Sequence, residues 1–193
     1  TIMMYQDCYI VVKYGSNTVR LRAKRGEAVT VPCPIAKMND TEIYLCTASR
    51  IQKIGSLAAL YVGYCNFGSA VKLQALTVSP MADGYSNTNL TDIDLGNCQL
   101  LRSLEVCGCP NLAAPLDFTG CPSLEEIDLR ATGVTGVTFA TGGYLESALL
   151  PASVSSITGK RLDSLTSLAL EGYDSLRTLH LEYCSTVDSL SLI

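Results

Sequence analysis

Leu90-Thr91-Asp92-Ile93-Asp94-Leu95-Gly96-Asn97-Cys98 is answered by Leu101-Arg102-Ser103-Leu104-Glu105-Val106-Cys107-Gly108-Cys109. Both read Leu-x-x-Ile/Leu-x-Leu/Val-x-x-Cys, and the phrase returns about every eleven residues to the C-terminus. A third copy opens at Leu112 and, one residue longer, runs through Leu116, Phe118 and Cys121. A fourth holds Leu124, Ile127 and Leu129. After a looser stretch come Leu165, Leu168, Leu170 and Tyr173, then Leu176, Leu179, Leu181 and Cys184, then Val187, Leu190 and Leu192. Repetition at this regularity specifies a solenoid, whose working part is an extended surface more often than a pocket.

Eleven extended residues reach roughly 36 Å, enough to close only a very narrow coil. Two phrases give 22–23 residues, inside the leucine-rich repeat range. The fold expected is therefore mostly β: a leucine-rich-repeat-like solenoid with two short strands per coil. Gly and Pro recur too often for long helices. Gly133-Val134-Thr135-Gly136-Val137-Thr138-Phe139 keeps the strand signal through the irregular middle, and Pro151 ends another strand after Ala148 and Leu150.

Upstream the pattern differs. Cys8–Tyr14 is apolar and β-prone, Gly15-Ser16-Asn17 supplies a turn, and Thr18–Ala23 alternates strictly. Ala28–Val31 follows before Pro32 and Pro34. These segments predict a small three-stranded antiparallel sheet over residues 1–40, ahead of a solenoid over 41–193. Short strands are expected around Ile43, Ile54 and Leu73–Val78, with Pro80–Thr88 as an inserted loop.

Charge is sparse at 17% and apolar residues reach 48%, which argues against disorder. Residues 1–30 carry five basic and two acidic side chains, and the rest nine basic and sixteen acidic. The repeat body thus lacks the contiguous basic footprint that nucleic acid requires. No run of about twenty apolar residues is present to span a membrane. The start, Thr1-Ile2-Met3-Met4, reads as that of a fragment or processed product. Nine cysteines leave at least one unpaired, and Cys98, Cys109, Cys121 and Cys184 share one repeat position. Buried small residues filling a turn account for that period better than disulfides do.

Candidate sites fall into three groups. Polar residues between the strand apolars face outward, and that column holds Asp94, Glu105, Asp117 and Asp128 before continuing as Thr138, Ala169, His180 and Ser191. With two phrases per coil, Asp94 and Asp117 lie on one side and Glu105 and Asp128 on the other. They read as solubilising charge or a partner surface, and no metal is assigned to them. Arg20, Arg22, Lys24 and Arg25 concentrate positive charge on one strand, suited either to docking an acidic surface or to guarding a sheet edge. Tyr61, Tyr64 and Tyr85 are the aromatic partner-binding candidates, among further tyrosines at 144, 173 and 183. The single histidine, His180, has no nucleophile or phosphate loop to serve, so no catalytic residue, cofactor or enzymatic activity is assigned.

The wording of the repeats goes beyond a generic leucine-rich repeat. Asn89–Leu95, the Cys-Pro-x-Leu forms at 109–112 and 121–124, Gly133–Val137, Leu60–Phe67 and Tyr85–Leu90 resemble large leucine-rich-repeat virion proteins of gut-associated tailed bacteriophages. Bacterial surface proteins with Cys-containing leucine-rich repeats look partly similar, but their Phe-x-Gly-Cys turn occurs here once, at Phe118–Cys121. What the phage resemblance implies is a structural virion component, in the tail, neck or a decoration. Its partners would be other virion proteins or further copies of itself in a large assembly. A module binding a host-surface protein or glycan is the alternative.

Overall fold

The structure, a computed structural model, describes residues 2–4, 7–14, 17–30, 41–44, 51–54, 64–66, 70–78, 90–187 and 190–193. The described residues contain strands and turns and no helix. Along the repeats, one series of strands comprises β6 (Ile51–Ile54), β8 (Ala75–Val78), β10 (Ser103–Val106), β12 (Glu126–Asp128), β14 (Ser147–Leu150), β16 (Ser167–Leu170) and β18 (Leu190–Leu192). Each is parallel to the next in a nine-stranded sheet. The alternate series pairs β7 (Tyr64–Asn66) with β9 (Asp92–Asp94). It also forms a parallel sheet of β11 (Leu116–Phe118), β13 (Gly136–Phe139), β15 (Ser156–Lys160) and β17 (Thr178–Glu182).

A coil therefore lays one strand on each side, as the eleven-residue phrase requires. Leu104, Ile127, Ala148, Leu168 and Leu190 occupy one rung, so successive coils take 23, 21, 20 and 22 residues. The range is a little wider than 22–23 because turns absorb or shed residues without disturbing the rung.

Alternation does the sorting. Strand β10 runs half-buried, buried, half-buried, buried, and β8 and β14 repeat that order. Leu76, Leu104, Ile127, Ala148 and Leu168 are each at most 2% exposed, as is the row Val78, Val106, Leu129, Leu150 and Leu170. From the opposite side Leu116, Val137 and Ile157 close the core, and the Phe118 and Phe139 rings stack at 6.3 Å. Removing each such side chain from water stabilises by roughly 1.5–3 kcal/mol before chain entropy is counted.

Corners use two recurring devices. Before β8, β10, β12 and β14 of the large sheet the preceding carbonyl accepts two N–H groups from the next coil: Gln74 from Arg102 and Ser103, Arg102 from Glu125 and Glu126, Glu125 from Glu146 and Ser147, Glu146 from Thr166 and Ser167. Where the phrase reaches its cysteine, that residue's carbonyl takes the N–H three residues on: Cys98 from Leu101, Cys109 from Leu112, Cys121 from Leu124. The buried cysteine thus turns the chain, as its repeat position suggested. Ala70, Pro151 and Leu162 do the same elsewhere.

The N-terminal strands depart from expectation in one respect. β2 (Cys8–Tyr14) and β3 (Asn17–Ala23) form the predicted hairpin, but their third partner is β5 (Thr41–Tyr44). Ala28–Val31, expected in that place, contributes only β4 (Ala28–Val29), which pairs antiparallel with β1 (Ile2–Met4). β1 in turn pairs antiparallel with β6, so one reversed strand, β1, lies between β6 and β4 at this edge of the large sheet, and β4 runs in the direction of β6. Met4 and Ala23 enter the core there, at 1% and 0% exposure. A strand of two residues with Pro32 close behind has little reach, whereas the sheet edge beside β1 needs only those two. The loop expected at Pro80–Thr88 lies outside the described residues.

Two substitutions test the corners in opposite directions. A Cβ on Gly120 would fall on the Gly96 carbonyl of the preceding coil. Gly120→Ala should therefore cost about 1–3 kcal/mol in urea unfolding. Ala131 holds φ at 53°, a left-handed conformation costly for a residue with a Cβ. Ala131→Gly should stabilise by about 0.5–1 kcal/mol, net of the greater freedom glycine has when unfolded.

Candidate functional site

The acidic column divides between the two sides of the coil. Glu105 and Asp128 are rung neighbours in the large sheet, between Thr77 and Leu149. Asp94 lies beside Asn66 on β7, and Asp117 heads a rung that continues through Thr138 and Thr158 to His180. Ala169 and Ser191 continue the large-sheet column. Ala169 is only 2% exposed yet belongs to the outer row, because its methyl group is too short to clear Leu149 and Ser191 beside it.

Three of the four carboxylates work locally. Asp94 accepts the N–H of Gly96 at 2.9 Å, Asp117 that of Thr119 at 2.8 Å, and Asp128 that of Arg130 at 3.1 Å. Each bond spans two residues and ends its strand in a turn, a geometry the short Asp side chain favours. Glu105 is one methylene longer and has no such bond among the described hydrogen bonds. Like charges on Glu105 and Asp128 would repel across the rung, and Arg130 offsets this. Its guanidinium grips Asp128 in a fork, Nε to Oδ1 at 3.0 Å and Nη2 to Oδ2 at 2.7 Å. Burial pushes the Asp128 carboxyl upward, but this fork, the Arg130 N–H and the Cys107 thiol together hold it below the usual range.

Among the described residues Cys98, Cys107, Cys109, Cys121 and Cys184 are free thiols. Cys98, Cys109 and Cys121 are buried, and Cys107 and Cys184 half-buried. Cys121 Sγ donates to the Leu95 carbonyl at 3.3 Å and Cys109 Sγ to that of Cys107 at 3.4 Å. Burial pushes the Cys98 thiol up to about 12, helped by Cys121 and Asp94, and lifts Cys109 and Cys121 to about 11. Among the described residues no three His, Cys, Asp or Glu side chains converge as a metal site would require.

Of the basic candidates, Arg20 and Arg22 are exposed on β3. Lys24 reaches Glu27 at 3.7 Å, and the Arg25 N–H donates to Asp7 at 2.8 Å. Tyr61 and Tyr85 lie outside the described residues. Tyr64 opens β7 opposite Asp92, and only its backbone is described. Tyr144 and Tyr183 are 65% and 76% exposed.

A polar cluster absent from the sequence reading lies near Tyr183. Glu182 accepts from Lys160 at 2.8 Å and sits 2.8 Å from His180 Nε2, and Lys160 hangs 5.8 Å above the Tyr183 ring. Lys160 and then His180 hold the Glu182 carboxyl below its ordinary value. The signal was the coil length, since Lys160 and Glu182 are rung partners one coil apart. By the same arithmetic over two coils, Glu171 reaches the Ala131 N–H at 2.9 Å.

A cavity bounded by Phe118, Cys121, Phe139 and Leu145 measures about 10 Å³, room for a single water molecule. No protein-family model, curated protein or solved structure matches the chain. The described residues form a β-rich solenoid with a leucine-rich-repeat-like architecture.

If the Asp carboxylates serve turns, Asp117→Ala should cost about 1 kcal/mol in urea unfolding. Glu105→Ala should stay within about 0.5 kcal/mol. For the thiols, folding favours the neutral form, so their contribution is complete below the ordinary value of 9.0 and is lost as pH rises toward about 12. Melting temperature should hold to about pH 9 and fall above it. A disulfide reagent at neutral pH should reach Cys98, Cys109 and Cys121 only after unfolding.

Proposed function

We propose that the chain is a non-enzymatic structural module of a virion, of the kind its repeats resemble in tail proteins of gut-associated tailed bacteriophages, and that it packs against other virion subunits. The observation that carries this reading is the separation of charge between elements. Arg20 and Arg22 stand exposed on β3, while Glu105, Asp117 and Asp128 line the outer faces of the coil. Exposed arginines on one element and outward carboxylates on others suit side-by-side packing of subunits, where opposed potentials set register. Sparse charge overall fits a surface that spends much of its area on neighbours. The phrase-level resemblance supplies the virion.

The alternative, a module for a host-surface protein or glycan, is favoured by the exposed Tyr144 and Tyr183 rings, since an aromatic face stacks on sugar while its hydroxyl stays wet.

Mapping the chain within the native particle decides between them. The structural reading expects a fixed, symmetric copy number, and the double reversal Arg20→Glu/Arg22→Glu should lower incorporation about tenfold or more, because opposing like charges is costly at an interface. Absence from particles would overturn it. Incorporation indifferent to the reversal, with host-cell binding lost in Tyr183→Ala, would favour the alternative.

A further inference from the structure

Within the stack, exposed apolar side chains gather on one corner. Among the described residues the large ones are Leu100, Tyr144, Tyr173, Leu179, Tyr183 and Ile193. From Tyr173 onward they belong to the outermost described coil, whereas Leu100 and Tyr144 have coils on both sides. The rungs Leu104, Ile127 and Ala148 follow four residues after Leu100, Ser123 and Tyr144, which sets those three in one row. Two rung spacings put Leu100 and Tyr144 about 10 Å apart. The short, half-buried Ser123 leaves a notch between them.

Carboxylates border this notch. Arg102 and Glu125, on the row beside it, pair with each other at 3.1 Å. Glu146 on that same row, and Glu126 at the start of β12, are exposed and enter no ion pair among the described residues. The Glu125 carbonyl accepts the Glu146 N–H at 2.8 Å. Glu126 and Glu146 are therefore neighbours, with Cα atoms about 6 Å apart by rung spacing and rise. The row's own cation, Lys72, lies beyond Leu100, three coils from Tyr144. A ring, an apolar notch and two unpaired carboxylates suit arginine. Its plane stacks on the ring, its methylenes fill the notch and its charge meets a carboxylate.

The chain carries arginines of that description. Arg20 and Arg22 are exposed on β3 and are likewise without an ion pair among the described residues. Leu21 between them packs inward against the core, so both project from one face. Two residues of strand separate them by about 7 Å, close to the spacing of Glu126 and Glu146.

We propose that this corner receives the Arg20 and Arg22 face of β3 from a second copy. The proposal rests on reading the chain as a packing module and names one of its partners. One guanidinium lies over Tyr144 against Glu146, and the other meets Glu126. A neutral sugar would use the ring but leave both carboxylates unanswered, and an acidic partner would be repelled. Donor and receiver are different surfaces, so one copy engages two neighbours and the contact repeats along an assembly.

Sedimentation equilibrium of the 193-residue chain at low salt should show self-association that weakens as salt is added. Glu126→Lys/Glu146→Lys should raise the Kd at least about tenfold with an unchanged far-ultraviolet spectrum, and Arg20→Glu/Arg22→Glu should do the same. Asp92→Lys/Asp174→Lys makes the same charge change away from the corner and should leave the Kd unaltered. Joining both reversals in one chain exchanges the signs and should recover the association that each reversal loses. A wild type monomeric at low salt, reversals without effect, or a combined variant as weak as either reversal alone overturns the proposal. Particle incorporation is a separate readout. Incorporation lost in Arg20→Glu/Arg22→Glu, with the purified wild type monomeric, overturns the second copy as partner, keeps the virion reading and assigns β3 to a different subunit.

Discussion

Backbone contact between successive coils is the constraint from which the remaining features follow. Parallel strands from one coil to the next sit about 4.8 Å apart, so each coil must place the same kind of residue at the same rung or leave a gap. At the tightest corners even a methyl group is too much. Gly120 lies against the Gly96 carbonyl and Gly133 against the Pro110 carbonyl. Carbonyls of Gln74, Arg102, Glu125 and Glu146, each accepting two N–H groups from the next coil, lock the coils in register. The apolar rows inside are continuous because the backbone outside allows no other alignment.

This constraint also decides what the outer surface is free to do. The outward Asp residues are taken up in ending strands, and Arg130 is taken up in balancing Asp128 against Glu105. Polar groups that look in one dimension like a ligand-binding column are largely spent on the coil itself. The left-handed corner residues show the same economy. Gly108 and Gly142 adopt positive φ, but Ala131, Arg161 and Tyr183 hold it against their side-chain preference. The N–H of Arg161 donates to the Glu182 carbonyl and that of Gly142 to the Lys160 carbonyl, so the inter-coil bond holds the geometry.

The coil was legible because its signal is redundant. Leu104, Ile127 and Leu168 repeat one environment, and no single irregular copy hides it. The separation of Asp94 and Asp117 from Glu105 and Asp128 followed from two phrases per coil. What the sequence concealed was pairing that breaks the period. Ala28–Val29 looks like the third strand of a hairpin sheet, and only the reversed β1 beside β6 shows where it goes. The cluster of Lys160, His180 and Glu182 was hidden differently, since contact between residues one coil apart emerges only once coil length is fixed to the residue. Turns that gain or lose a residue blur that count before the rungs are seen.

In a stack where each coil touches only its neighbours, stability is close to a sum of coil and interface contributions. Ile157, with a coil on each side, is fully buried, whereas Leu179 in the outermost described coil is 44% exposed. At the other edge of the large sheet the parallel order is interrupted by the single reversed strand β1, with β4 beyond it. Any further coil or partner seated against an outermost coil adds an interface term, and by mass action it stabilises the coil beneath it.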